Sequence, residues 1–168
     1  MKPHLQYSEE EIKNKLSDLW ITLRARKAKD PEWTRETFVV LDKIGEQLGY
    51  KSLYSSKCGG PTEWLWDFVW IERDSESDNI VSVPLVAESE WNTSDLKIDF
   101  EKLVVSCAPL RLFIFQTQTE ERAVQEISKL KGLSASYCIC PAKYLTACWI
   151  WGGSNPRPVF DSWSIDPH

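Results

Sequence analysis

Apolar residues recur at Ile12, Leu16, Leu19 and Leu23, a spacing that predicts an amphipathic helix. Ser8 followed by Glu9-Glu10-Glu11 reads as its N-cap with a capping-box acid three residues on. Arg24, Arg26, Lys27 and Lys29 close it, at the end where the helix dipole favours cations. Asp30-Pro31 opens a second helix. Its stripe is Phe38, Leu41, Ile44, Gly45 and Leu48, and Gly49 suits its C-terminal cap. Residues 51–62, with Lys57-Cys58-Gly59-Gly60-Pro61, read as a loop. The pattern then becomes strand-like over Trp64–Ile71 and Val81–Trp91, joined by the polar turn Arg73–Asn79. Both faces of each strand are largely apolar, which predicts a sheet covered on both sides. A helix beginning near Asp99 carries Phe100, Leu103, Val104 and Cys107 on one stripe. A strand over Leu110–Phe115, a helix over Thr119–Lys131 ended by Gly132, and a strand over Tyr144–Trp151 follow. The tail, with Pro156, Pro158 and Pro167, reads as loop. This order predicts an α/β domain with a mixed sheet between helices.

The length of 168 residues suits a single domain, and 42% hydrophobic residues argue for a packed core that absorbs most of the nine tryptophans. No apolar stretch approaches the roughly 20 residues of a membrane span, and the segment from Met1 to Gln6 leads into acidic sequence unlike a secretory signal. Five cysteines are an odd count. Only Cys138-Ile139-Cys140 is close-spaced, and the two histidines stand at opposite ends of the chain, so zinc ligation is not expected. The cysteines read as reduced structural thiols, consistent with a cytoplasmic location. A net charge of −5 argues against general nucleic-acid coating, which needs a basic surface, but leaves room for a small basic groove.

Three carboxylates change the picture. Asp67 lies within Trp64–Ile71, and Glu88 and Glu90 within Val81–Trp91. An acid among such residues is partly desolvated, which disfavours its charge unless something compensates. Glu88 and Glu90 are two apart on a strand and so share a face. If the Asp67 strand pairs beside them, all three carboxylates converge, and a hard cation such as Mg²⁺ would relieve their repulsion. Against this stands a plainer reading, in which Glu88 and Glu90 sit at an exposed strand end paired with Arg73 or Lys102, and loop amides bond Asp67.

An acid in one strand, Glu-x-Glu at the end of the next, then a helix and a strand, resembles the PD-(D/E)XK nuclease superfamily. The likeness covers residues 31–116, about half the chain. The resemblance implies a restriction-endonuclease-like mixed central sheet flanked by helices on both faces, its core made of a helix, a three-stranded meander, a helix and a strand. It implies Asp67 and Glu88 as ligands of Mg²⁺ or Mn²⁺. Glu90 stands where the family usually has lysine, as a third ligand or a general base. Trp66 replaces the family's usual proline before the aspartate. In some members the lysine has moved to the following helix, and Lys102 is the match here. The expected activity is metal-dependent phosphodiester hydrolysis of DNA or RNA. The alternative is an inactive member of the same fold that binds a protein partner as an adaptor or immunity-type module.

Overall fold

The computed structural model describes residues 3–62, 64–137 and 139–166. It contains four α-helices, α1 Pro3–Ala25, α2 Asp30–Gln47, α3 Leu96–Val104 and α4 Glu120–Ser136. The strands are β1 Lys51–Tyr54, β2 Phe68–Arg73, β3 Ile80–Glu90, β4 Leu110–Thr117, β5 Ala142–Ile150 and β6 Arg157–Ile165. Strand order in the sheet is β1-β2-β3-β4-β5-β6. The sheet is mixed: β1/β2 and β5/β6 pair antiparallel, β4/β5 parallel. By their contacts the residues fall into two units, Met1–Val86 and Ala87–His168.

The first unit is built on α2. The buried residues of α1 are Ile12, Leu16, Trp20 and Leu23, and this helix packs on α2. Trp20 Nε1 donates to Thr37 Oγ1 at 3.0 Å, satisfying both polar groups of that dry contact. From α2, Phe38, Leu41 and Ile44 face β1 and β2. Gly45 is required by a close approach: a Cβ there would lie 2.5 Å from Trp70 Nε1. The indole instead rests on the bare backbone and donates to Leu41 O at 3.0 Å. Gly49 ends the helix with φ 83°, a left-handed turn that glycine adopts without strain.

The second unit is built on β4, whose residues Leu110–Phe115 are all buried. The crossover from β4 to the parallel β5 runs through α4. Thr119 caps α4, its Oγ1 accepting from Arg122 N at 3.2 Å. Phe100 of α3 meets Phe113 of β4 and Tyr144 of β5, with ring centroids 5.4 and 5.5 Å away. Tyr144 stacks in turn on Trp163 of β6. Arg111, 1% exposed, spends its guanidinium on the chain after α3, donating to the carbonyls of Val104, Ser106 and Ala108 and to the Tyr144 hydroxyl.

Several boundaries differ from the sequence expectation. α1 begins at Pro3, so Ser8 is a buried helical residue and not its N-cap. Residues 51–54 form β1, where a plain loop is expected; the turn that follows keeps its glycines, with Gly59 at φ 93°. β2 begins at Phe68, leaving Trp64 and Leu65 exposed and Asp67 half-buried in a bend before the strand. α3 starts at Leu96 and α4 runs through Gly132 to Ser136. The proline-bearing tail forms β6, at the edge of the sheet, where Pro158 withdraws no bond needed by a second neighbour. Cys138 lies outside the described residues; Cys107 and Cys148 are free thiols.

Candidate functional site

The second unit collects an acidic cluster around one lysine. β3 is buried on both faces from Pro84 to Glu88, because Leu85, Val86 and Ala87 are all core. Glu88 is therefore carried inward at 0% exposure. Its compensation comes from the next helix. Lys102, in the last turn of α3, places Nζ 3.1 Å from Glu88 Oε2. The same ammonium lies 2.7 Å from Asp99 Oδ1, one helical turn earlier.

The β3–α3 turn fixes that helix against the strand. Asn92 N donates to Glu90 Oε1 at 2.5 Å, and Asn92 Nδ2 donates to Asp95 Oδ2 at 2.8 Å. Gln116 Nε2, from β4, donates to Trp91 O at 2.9 Å. These bonds tie both ends of the turn, and α3 leaves it with Leu96, Phe100, Leu103 and Val104 buried. The stem of Lys102 therefore starts beside Leu103 and its head reaches back to Glu88.

Burial alone would lower the Lys102 pKa. The hydrogen bonds and charges of Asp99 and Glu88 outweigh it and hold the pKa above the ordinary lysine value. Lys102 is thus a cation at neutral pH and not a proton acceptor. The Glu90 pKa is also raised, which for a carboxylate disfavours the charge: partial burial and the neighbouring Asp99 and Asp95 push it up, opposed by the amide of Asn92. The arrangement offers a fixed positive charge beside a buried carboxylate and a second carboxylate of raised basicity on the same strand.

Of the residues singled out by sequence, Glu88, Glu90 and Lys102 meet in this cluster. Asp67 belongs to the first unit, in the bend before β2. The exposed strand end of the plainer reading does not hold for Glu88, which is fully buried, although its pairing with Lys102 does. Arg73 bonds instead to Asp78. Sequence reasoning missed Asp99, whose signal was its position three residues before Lys102. Asn92, Asp95 and Gln116 carried no such signal. Among the described residues, no group of three or more His, Cys, Asp or Glu is arranged to hold a metal ion, and no helix is long and apolar enough to cross a membrane.

No family model, curated protein or solved structure matches the chain.

Proposed function

We propose that the chain is a Mg²⁺-dependent nuclease of the restriction-endonuclease-like fold, hydrolysing phosphodiester bonds of DNA or RNA. The observation that carries this reading is the Lys102 ammonium at the buried Glu88 carboxylate. It is the contact expected if the family's lysine has moved from the strand to the following helix. The order α2-β1-β2-β3-α3-β4 supports it too, being the helix, three strands, helix and strand that the resemblance implies.

The donor chemistry suits a hard cation: Glu88 and Glu90 offer carboxylate oxygens from one strand, and Asp67 is the further ligand that the resemblance implies. Mg²⁺ takes one or two carboxylates and fills its shell with water and phosphate oxygens, so a ready cage of three acids is not required. When bound, the metal supplies charge neutralisation at the phosphate and a more acidic water. The protein's own groups do the rest. Lys102, charged at neutral pH, stabilises the extra negative charge on the pentacoordinate phosphorus. Glu90, more basic than an ordinary carboxylate, takes the proton of the attacking water. The test is cleavage of plasmid and single-stranded substrates with Mg²⁺ or Mn²⁺. Loss of cutting in Asp67→Ala, Glu88→Ala and Lys102→Ala supports the reading; cutting that survives in all three refutes it.

A second reading is favoured by the same ion pair. The Lys102 ammonium offsets the buried Glu88 charge without a metal, as in an inactive adaptor or immunity-type protein with a protein partner. Titration calorimetry with Mg²⁺, Mn²⁺ and Ca²⁺ separates the two: no heat of binding from any of them favours the adaptor.

A further inference from the structure

We propose that Asp99 is the positioning residue of this site, holding the Lys102 ammonium against Glu88. Lysine ends a flexible four-carbon stem, and freezing it costs rotamer entropy. The Lys102 side chain is 45% exposed, so packing does not fix its head. Glu88, at 3.1 Å, is one anchor for that head. Asp99 supplies the second anchor, at 2.7 Å and from the same face of the same helix. Two acceptors at different bearings define a direction. Asp99 is itself only 18% exposed, so this second contact is partly shielded from solvent.

Asp99 also stands in the first turn of α3, where a carboxylate favours the helix dipole. That role and the positioning role separate under substitution. Lys97 and Glu101, 3.6 Å apart on the same helix, form an exposed pair that serves as control. The chemical consequence of positioning rests on the nuclease reading; the contact itself does not.

The experiment is two-dimensional ¹H–¹⁵N spectroscopy of lysine side-chain ammonium groups in the metal-free full chain, with the Lys102 signal assigned by its loss in Lys102→Met. An ammonium held by two carboxylates exchanges its protons slowly and gives a cross-peak. That peak is expected to vanish in Asp99→Asn, to persist in Asp99→Glu, and to be unchanged in Glu101→Gln. With Mg²⁺ and plasmid, Asp99→Asn is expected to lower kcat about tenfold or more with KM nearly constant, and Asp99→Glu to recover most of it. A Lys102 peak that survives in Asp99→Asn overturns the proposal. If the peak vanishes as expected but wild-type protein cuts nothing, positioning stands and the nuclease reading fails.

Discussion

Removing the Lys102 charge should expose what burying Glu88 costs. The perturbation is Lys102→Met, which keeps the stem and deletes the ammonium, set in a double-mutant cycle with Glu88→Gln. Two unit charges at the observed 3.1 Å attract by about 5 kcal/mol at an effective dielectric of 20, and by little more than 1 kcal/mol in water. Glu88 is fully buried, but the Lys102 side chain is 45% exposed, so solvent screens the pair and the upper figure must be discounted. A coupling energy of about 1–2 kcal/mol is expected from urea unfolding at neutral pH, and about 2 kcal/mol lost in Lys102→Met alone. The pH dependence has a definite sign. The folded Lys102 pKa is raised, so its stabilisation is complete below the unfolded lysine value of about 10.4 and fades as pH rises through the folded value. The coupling should hold from pH 6 to about 9.5 and shrink only in strong base. Coupling within about 0.3 kcal/mol of zero at neutral pH would refute the claim that Lys102 compensates Glu88.

Three other substitutions test the packing. Gly45→Ala gains about 1 kcal/mol of helix propensity, yet its methyl meets Trp70 Nε1 at 2.5 Å; overpacking of about 1–3 kcal/mol should win, so urea unfolding should show a net loss. Tyr54 is buried, faces the Asp42 charge and bonds to Asp42 at 3.2 Å, which together push its pKa up to about 12. Phenolate absorbance should show one tyrosine titrating near that value, and Asp42→Asn should lower it. Arg111→Met strands the carbonyls of Val104, Ser106 and Ala108, and should cost about 3 kcal/mol or more in the same unfolding assay.

The helices were legible because their stripes are long: Phe38, Leu41 and Ile44 are buried as the spacing implies, as are Phe100, Leu103 and Val104. β4 and β5 were legible because a continuous apolar run admits few other fates. β1 was not, since four residues reading Lys-Ser-Leu-Tyr are too short to show a period. β6 was hidden by Pro158, which a central strand would refuse and an edge strand accepts. The apolar run Trp64–Ile71 overreached for a related reason: hydrophobic residues alone do not guarantee a ladder partner, and Trp64 and Leu65 stay exposed. At the site, strand parity placed Glu88 and Glu90 two residues apart on the same face of one strand. It could not show that Lys102 reaches Glu88, because that contact depends on how the 91–95 turn aims α3.

The decisive measurement is cleavage of supercoiled plasmid and of a single-stranded oligonucleotide, with Mg²⁺ and with excess chelator. Cutting is expected to need the metal and to fall by about a hundredfold or more in Glu88→Gln and Lys102→Met, with both variants still folded. Wild-type protein that is folded, takes up no divalent cation and cuts neither substrate would contradict the nuclease reading.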